Sequence, residues 1–371
     1  MKILVQGAGL AGCAVASALA QRGHSVTVIE RQKELFTSGA GILLYSNALV
    51  ALDRLGVLSH VLERGFPMQG RTEFLDQNSS HVGYVNYTPI VEGYPAYVGI
   101  ARNVLLKTLH DSATSHGASF FFGTDLSHMF LDSETALCAV EEMTETYDLV
   151  VSAEGVNSRL RQTLLGVASK FSGFGLWHSL HDRPSHVVEK ITASAPGVRL
   201  GVIPISDQKM YVWASREEPE NPWIQRSLWH EQMRSRFSAF GGWIGDLVAS
   251  IDEKTYIHYT AVNEVHMSTP WNYGQLVFIG DAAHATTPFM AQGGAQALTD
   301  AVCLADTIHG VDGKELSVAL EAFATKRFPI TNLVQNKSFA IGKSYNNPEV
   351  NIERTQIELD SFYSTVQQSL A

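Results

Sequence analysis

A chain of 371 residues, 45% hydrophobic and 17% charged, is long enough for a full globular core, and this composition excludes intrinsic disorder. The formal net charge is −10 and no run of five or six Lys and Arg residues occurs, so the basic surface typical of nucleic-acid-binding proteins is missing. The sequence has no apolar stretch long enough for a membrane span, and we expect no membrane association.

The cysteines and the N-terminus predict a reduced, cytoplasmic protein. Cys13, Cys138 and Cys303 stand far apart, each within an apolar stretch, as free core cysteines do. Neither an H-E-x-x-H motif nor a paired Cys/His spacing occurs, so we expect no metal site. The apolar run after Lys2 starts with a single cation, and its glycines favour a nucleotide-binding turn over a signal peptide.

The first motif predicts a dinucleotide-binding unit. An apolar strand leads into Gly7-Ala8-Gly9-Leu10-Ala11-Gly12, and a helix of small and apolar residues follows from Cys13 to Arg22. In this G-x-G-x-x-G pattern Gly7 allows a tight turn, Gly9 lets the backbone approach a pyrophosphate, and Gly12 lets the helix pack closely on the strand. The free N–H groups of the helix N-terminus favour an anion there.

A second buried strand, Ser25 to Ile29, ends at an acidic residue, Glu30. An acid at this position of a βαβ unit accepts hydrogen bonds from ribose hydroxyls, and its charge argues against a 2′-phosphate. The segment therefore predicts a site for the adenosine half of a dinucleotide.

Two further strand-to-loop motifs follow. A strand from Tyr147 to Val151 leads into Ser152-Ala153-Glu154-Gly155, and a strand from Gln275 to Ile279 leads into Gly280-Asp281-Ala282-Ala283-His284. The glycine-rich segment Pro288 to Ala295 then opens a long helix. Its N-terminus is a second place where helix N–H groups face an anion.

These motifs, with Gly39-Ala40-Gly41-Ile42 ahead of Asn47-Ala48 and with Arg102 opening a helix, resemble in order and type the group A FAD-dependent monooxygenases. This family includes the p-hydroxybenzoate and salicylate hydroxylases. The resemblance covers the chain from Met1 to about Pro329. It implies a p-hydroxybenzoate hydroxylase-like α/β fold, in which a Rossmann-type FAD-binding domain is interleaved with an antiparallel-sheet substrate domain.

The interleaving can be placed on the chain. We expect the FAD-binding domain in residues 1–68, 102–170 and 271–330, the substrate domain in 69–101 and 171–270, and a helical C-terminal tail in 331–371. Alternation with aromatic residues, as in Val198 to Ile203 and Lys209 to Ala214, favours antiparallel strands, and helices are expected between Pro222 and Ser250. The tail suits packing or a dimer contact, so we expect a monomer or a homodimer.

The resemblance implies which residues hold FAD. They are Gly7, Gly9, Leu10, Ala11, Gly12, Glu30, Arg31, Arg102, Asp281, Gly293, Gly294 and Ala295. Arg102 would reach the phosphates and Asp281 the ribityl chain, although an Asp at this point can also cap a helix. The N–H groups of Gly293 to Ala295 would face the flavin edge that becomes negative on reduction. His284 is expected to order the turn and not to act as a base.

The chain departs from the family pattern at two positions. Glu154 stands where the family has Asp before Gly155, and Ala291 stands where it has Gly before Gln-Gly. The longer carboxylate leaves the choice between NADPH and NADH open.

The implied reaction uses NADPH or NADH as a transient co-substrate that reduces FAD. Oxygen then adds to the flavin, and the hydroperoxide hydroxylates an aromatic or polycyclic small molecule. A single nucleotide fingerprint fits this scheme. The residues expected to face the flavin ring are Tyr45, Tyr211 and Pro288 as catalytic candidates and His178, Trp213 and Phe289 as substrate candidates. Each of them also suits a packing role, and many relatives carry Arg where His178 stands.

Other functions stay open at this point. The same fold could perform epoxidation, Baeyer–Villiger oxidation or oxidative inactivation of a polycyclic compound, or the chain could be a flavoprotein that transfers no oxygen. A plain NAD dehydrogenase would leave Gly280 to Ala301 unexplained. The W-x-W-x-I-P signature of flavin-dependent halogenases is not present.

Overall fold

The computed structural model describes residues 1–35, 39–89, 91–131, 136–140, 143–311, 313–344 and 352–370. The helices are α1 (Leu10–Gln21), α2 (Ser46–Arg54), α3 (Leu58–Arg64), α4 (Arg102–Ser115), α5 (Arg159–Leu165), α6 (Trp229–Arg236), α7 (Gly242–Ala249), α8 (Asp281–His284), α9 (Gly293–Thr307), α10 (Leu316–Lys343) and α11 (Ile352–Leu370). The strands are β1 (Lys2–Gln6), β2 (Ser25–Glu30), β3 (Gly41–Tyr45), β4 (Phe66–Met68), β5 (Arg71–Leu75), β6 (His81–Asn86), β7 (Tyr97–Ala101), β8 (Ser119–Phe122), β9 (Leu126–Leu131), β10 (Ala136–Val140), β11 (Met143–Tyr147), β12 (Leu149–Ser152), β13 (Lys170–Asp182), β14 (Lys190–Ala195), β15 (Val198–Pro204), β16 (Lys209–Glu217), β17 (Ile257–Glu264), β18 (Asn272–Tyr273) and β19 (Leu276–Phe278).

A six-stranded sheet with the order β18-β19-β12-β1-β2-β8 forms the nucleotide-binding half. Its strands run parallel, except that β18 is antiparallel to β19. Ile3, Leu4 and Val5 of β1 are fully buried, as expected for a central parallel strand covered on both faces. From β1 the chain adds β2 and β8 on one side and later β12 and β19 on the other. The strand order therefore reverses between β1 and β12, and a ligand crevice lies at the carboxyl ends of these two strands. This topology confirms the predicted Rossmann-type α/β fold.

Helix α1 owes its position to its small residues. It lies against α4 and α9, and its residues Gly12 to Ala20 are all buried. Side chains no larger than Leu allow these helices to approach closely and to bury α1 on every side. Of the three cysteines, Cys13 and Cys303 are free and buried, as predicted, whereas the side chain of Cys138 lies outside the described residues.

A seven-stranded sheet with the order β17-β13-β16-β15-β14-β5-β6 covers the nucleotide-binding half. Its strand pairs are antiparallel apart from β14 with β5, which confirms the antiparallel strands predicted from the alternation. One face packs Trp177 against Phe237 and Ile244 of the α6–α7 region. The opposite face carries Tyr211, which packs with Tyr45 of β3.

Two smaller antiparallel sheets complete the described fold, β11-β10-β9 and β3-β7-β4. The second joins strands from the predicted FAD-binding segment 1–68 and the predicted substrate segment 69–101. The strand predicted from Tyr147 to Val151 is in fact two elements, because Tyr147 ends β11 and β12 begins at Leu149.

The C-terminal region is helical, and α10 runs without a break across the predicted boundary between residues 330 and 331. Phe362 and Val366 of α11 pack against Met290, Ile330 and Val334. The last helix therefore covers the segment that precedes α9. Within the described ranges, none of the helices is long and apolar enough to cross a membrane.

Candidate functional site

The first glycine turn is shaped by close backbone contacts. Gly7 has a φ of +106°, and a Cβ at this position would lie 2.5 Å from the carbonyl oxygen of Ala153. A Cβ at Gly12 would lie 1.8 Å from the carbonyl oxygen of Gly7. Because neither contact is sterically possible, only glycine fits at these positions. The turn brings the start of α1 against the end of β12.

The start of α1 is open. Gly9 is the N-cap residue, and no side chain caps the first turn of the helix, which includes Leu10 and Ala11. A Cβ on the exposed Gly9 would meet no atom within 4 Å. The N–H groups of this turn are therefore available to an anionic ligand, as the sequence predicts.

The acidic residue at the end of β2 is held at the same turn. The Glu30 carboxylate accepts hydrogen bonds from the N–H groups of Ala8, at 2.9 Å, and Gln32, at 2.8 Å. The side chains of Arg31 and Arg102 are exposed. Arg102 begins α4, as predicted, and its N–H donates to the carbonyl oxygen of Ala40 at 3.0 Å.

The second motif converges on the first. Gly280 has a φ of +57°, and a Cβ there would lie 3.0 Å from Cβ of Ala11 and 3.3 Å from Cβ of Ala297. The next residue, Asp281, starts α8 with an exposed carboxylate. This carboxylate makes no hydrogen bond or ion pair with the part of the chain that the structure describes. Its Oδ1 lies near Gly293, because a Cβ added to Gly293 would be 4.0 Å from it.

The start of α9 is the third open backbone segment. Gln292 is its N-cap residue, and no side chain caps the turn that contains Gly293, Gly294 and Ala295. A Cβ at Gly294 would lie 2.8 Å from Cδ1 of Ile42 and 3.2 Å from Cδ2 of Leu10, so this turn adjoins the start of α1. The two helix N-termini and Asp281 therefore meet in one place.

The departure at Ala291 has a conformational consequence. Its φ of +52° and ψ of +33° lie in the left-handed region, where glycine adopts the backbone without strain. A glycine, which is usual at this position in the family, avoids this strain. This chain instead holds an alanine in the left-handed conformation.

A buried ion-pair network supports the start of α9. Oδ2 of Asp300 lies 2.6 Å from Nε2 of His284 and accepts the N–H of Gly280 at 2.8 Å. Oδ1 of Asp300 accepts Nε–H of Arg327 at 2.7 Å. Asp300 is fully buried, and His284 and Arg327 are nearly so. His284 thus orders the Gly280 turn, which is the role expected for it.

The network continues through a chain of amides. Arg327 donates to Oε1 of Gln296 at 2.6 Å, and Gln296 then donates through Nε2 to Oε1 of Gln292 at 3.3 Å. Asn47 donates to the same Oε1 of Gln292 at 2.9 Å. Because an arginine can only donate, the orientation of each amide after it is fixed.

Three buried polar atoms beside this network have no partner in the described structure: Nε2 of Gln292, Oδ1 of Asn47 and Oγ1 of Thr286. Buried polar atoms are costly unless they are hydrogen-bonded, so their lack of partners indicates a ligand at this point. FAD fits these residues. The open α1 turn suits its pyrophosphate, the free Asp281 carboxylate suits a polyol, and the open α9 turn suits an electron-rich ring edge.

The departure at Glu154 has a structural explanation. Its carboxylate accepts hydrogen bonds from the Ser158 hydroxyl at 2.6 Å and from the N–H groups of Arg159 and Leu160 at 3.3 and 3.2 Å. It therefore caps the start of α5. Arg161, fully buried, ties the same helix to α8 through the carbonyl oxygen of Ala282 at 3.0 Å.

Three of the residues expected to face the ring lie together on the inner sheet face. Tyr211 packs on Gly41, whose Cβ would lie 2.0 Å from its ring. His178 lies opposite Trp213 on one side and His258 on the other. Burial, with smaller contributions from His258 and Arg102, lowers the pKa of His178 to about 3. His178 is therefore neutral at physiological pH.

The other candidates pack in two different clusters. Tyr45 packs in the same cluster as Tyr211, whereas Phe289 packs against Phe174 with ring centroids 4.9 Å apart, and Trp213 contacts both groups. Pro288 opens the short 3-10 helix Pro288–Met290 that carries Phe289.

Sequence reasoning missed a group of residues beside Tyr45. The rings of Tyr45, Tyr87, Tyr97 and Tyr363 form a cluster in which neighbouring centroids lie 5.5 to 5.8 Å apart. The half-buried Lys190 places its ammonium 3.3 Å from the Tyr45 hydroxyl. Two different sheets contribute these residues, since Tyr45 and Tyr97 lie on β3 and β7 whereas Lys190 begins β14, and no spacing in the sequence connects them. The amide network could have been found, since Gln292, Gln296 and Asp300 recur every four residues on one helix.

Comparison with known proteins agrees with this geometry. The FAD binding domain family matches residues 1–338. The 2-heptyl-3-hydroxy-4(1H)-quinolone synthase of Pseudomonas aeruginosa (strain UCBPP-PA14) is 31% identical over 82% of this chain and 80% of its own length. The aurachin C monooxygenase/isomerase of Stigmatella aurantiaca is 29% identical over 92% of this chain and 89% of its own.

A solved structure shows the same fold. Klebsiella pneumoniae HpxO, complexed with FAD and uric acid, superposes with a TM-score of 0.83 at 21% identity, over 98% of this chain and 93% of its own. The fold is the p-hydroxybenzoate hydroxylase-like arrangement expected from the sequence. The family match, the 31% identical relative and the shared fold together show that this chain belongs to the FAD binding domain family, as a group A FAD-dependent monooxygenase.

Proposed function

We propose that this enzyme uses NADPH or NADH and O2 to hydroxylate an aromatic or polycyclic small molecule. The observation that supports this proposal is that the open α1 and α9 N-termini meet at the Asp281 carboxylate, which is unpaired within the described part of the chain. When FAD is bound there and reduced by the nicotinamide, it supplies the oxygen chemistry.

The chain's own residues have distinct tasks in this proposal. Glu30 accepts hydrogen bonds from the ribose, Arg102 pairs with phosphate, and Asp281 binds the ribityl chain. The N–H groups from Gly293 to Ala295 stabilise negative charge at the edge of the reduced ring, because they are aligned with the α9 dipole. No reorganisation of α9 is needed as that charge appears.

The inner sheet face has the task of orienting the substrate and excluding water. Tyr45 and Tyr211 are buried and Trp213 is half-buried, so this face is largely aromatic. Excluding water favours transfer of oxygen to the substrate over loss of the oxygen as hydrogen peroxide. His178 contributes a neutral ring that can hydrogen-bond a substrate without adding charge.

The relatives suggest which substrates to examine first. One of them is named for making a 3-hydroxy-4(1H)-quinolone, and another is named as an aurachin C monooxygenase/isomerase. Bicyclic N-heteroaromatics that carry an oxygen substituent on the ring are therefore the substrate class that we propose.

A screen of substrates tests this function. Purified FAD-loaded protein is mixed with hydroxyquinolines, other N-heteroaromatics, phenols and polyketides, and the oxidation of NADPH and NADH is recorded with and without each compound. We expect at least one compound to stimulate oxidation and to gain oxygen, as seen by product mass. Product masses also separate hydroxylation from Baeyer–Villiger or degradative oxidation. FAD that no compound causes to turn over would instead favour a flavoprotein that transfers no oxygen.

Cofactor choice is tested through Glu30. Because its carboxylate lies at the first glycine turn, replacing Glu30 with alanine should weaken FAD binding by about tenfold, the effect of losing a hydrogen bond to a charged group. FMN lacks the adenosine half, so its weaker binding should not change. Equilibrium dialysis of both flavins against wild type and variant measures the effect. Equal retention of FMN and FAD by the wild type would contradict this assignment.

A further inference from the structure

The tyrosine cluster contains a cation whose charge has no counter-ion among the residues that the structure describes. Lys190 is half-buried, and its ammonium lies 3.3 Å from the Tyr45 hydroxyl and 6.0 and 5.8 Å from the ring centroids of Tyr45 and Tyr87. Among the residues that the structure describes, no carboxylate lies within 4.0 Å of this ammonium. A partly buried ammonium without a counter-ion is costly, and the Tyr45 hydroxyl and the rings compensate only weakly at these distances.

The neighbouring carboxylate is engaged elsewhere. Glu189 accepts hydrogen bonds from the N–H groups of Gln69, at 2.7 Å, and Arg71, at 3.2 Å, and lies 3.4 Å from the Tyr97 hydroxyl. It therefore fixes the loop before β5 and does not neutralise Lys190.

A second donor reaches the same cluster from the start of α9. Nε2 of Gln292 is buried and completes no hydrogen bond in the described structure, and the orientation of this amide is fixed by Arg327 through Gln296. The preceding residue, Ala291, packs in the same cluster as Tyr45 and Tyr363. This places the Gln292 amide beside the tyrosine cluster, where its interaction with Tyr363 also acts on the pKa of that hydroxyl.

The cluster is thus rich in donors. Lys190 offers ammonium protons, one of which already reaches the Tyr45 hydroxyl, Gln292 offers amide protons, and each tyrosine hydroxyl can donate one proton. Sites of this composition bind oxygen atoms that carry negative charge, because such atoms accept several hydrogen bonds and pair with the cation.

We propose that Lys190 and Gln292 form a subsite for an acidic oxygen of the substrate, either a carboxylate or an ionised ring hydroxyl. Tyr45, which packs in one cluster with Tyr211 of the inner sheet face, borders this subsite. The inference rests on the proposed function, since it concerns the substrate of that site. It makes Lys190 a specificity-determining residue.

Matched pairs of ligands test the subsite. Holoenzyme is titrated by equilibrium dialysis with salicylate and salicylamide, anthranilate and anthranilamide, and kynurenate and its carboxamide. Each pair differs in charge and little in shape. The wild type should bind at least one acid about tenfold more tightly than its amide, the effect of a partly exposed charge pair.

The Lys190 variants locate this preference. Lys190→Met should abolish the preference for the acid and leave the affinity for the amide within about twofold, whereas Lys190→Arg should retain most of it. Lys254→Met, on an exposed lysine away from the cluster, should behave as wild type. Gln292→Met should weaken binding of the acid less than Lys190→Met does. FAD content and thermal unfolding are measured for every variant to identify any that fold poorly, in which case Lys190→Gln replaces Lys190→Met.

Two results would overturn the subsite: no acid binding more tightly than its amide in any pair, or a Lys190→Met variant that keeps the preference. Failure of the proposed function has a different signature. In that case acids would bind in a Lys190-dependent way, and yet no compound would receive oxygen.

Discussion

Replacing Asp300 with alanine is expected to lower the free energy of unfolding by about 3–5 kcal/mol, because it leaves the Arg327 guanidinium buried without its counter-ion. The same change removes the acceptor for His284 and for the N–H of Gly280. Urea unfolding of the apoprotein measures the loss. Because the network orients Gln296 and Gln292, FAD binding should also weaken in the fraction that remains folded.

The same helix offers a matched control. Asp306 also bonds two arginines, Arg22 and Arg54, but its side chain is 39% exposed. Asp306→Ala should therefore cost less than about 1 kcal/mol. Equal losses for Asp300→Ala and Asp306→Ala would show that burial of the network is not what stabilises it.

The network also predicts that the stability of the folded protein depends on pH. Burial favours the neutral form of Asp300, but His284 and Arg327 outweigh it and lower the pKa from 3.8 to about 2. Since the pKa is depressed in the folded state, this contribution is present above pH of about 4 and is lost as the pH falls toward 2. Asp300→Asn should lose stability at neutral pH and show a smaller further loss between these values.

Replacing Asp281 with alanine should weaken FAD binding by about tenfold to a hundredfold, the effect of losing a hydrogen bond to a charged group. The apoprotein should keep its stability within about 0.5 kcal/mol, because the carboxylate is exposed and unpaired in the described structure. Dialysis against FAD and urea unfolding separate these two effects. His284→Ala should show the opposite pattern, a marked loss of stability with a smaller loss of FAD affinity.

Exposed acids elsewhere provide the control for Asp281. Asp246→Ala, on α7, should change neither FAD affinity nor stability. If Asp281→Ala retained FAD as wild type does while His284→Ala lost turnover with FAD still bound, the roles of the two residues would be reversed.

The sequence predicts the nucleotide-binding half well because local geometry determines it. A Cβ at Gly7 or Gly12 has no room, so these glycines appear in a fixed pattern between a buried strand and a helix of small residues. Asp281 and the Gly293 turn can be located in the sequence in the same way. Asp281 follows a short apolar strand, and the Gly293 turn follows a short apolar loop.

The substrate side is predicted less well because long-range packing determines it. Lys190 follows Glu189 at the start of a strand, a pattern typical of a solvated surface pair, and only the fold turns its ammonium toward Tyr45. Tyr363 lies in a polar segment of the sequence. No local pattern there shows that its helix, α11, packs against the segment before α9. Phe289, which is predicted to face the flavin ring, also packs against Phe174 and Gly342 of α10, contacts that the sequence does not reveal.

The origin of the oxygen atom in the product tests the central claim most directly. Turnover of an active compound under isotopically labelled molecular oxygen, in unlabelled water and with NAD(P)H as reductant, should place one labelled atom in the product. Turnover should stop when oxygen is withdrawn. A product without label, or turnover that continues at the same rate without oxygen, would show instead that this chain uses its FAD as a dehydrogenase or reductase.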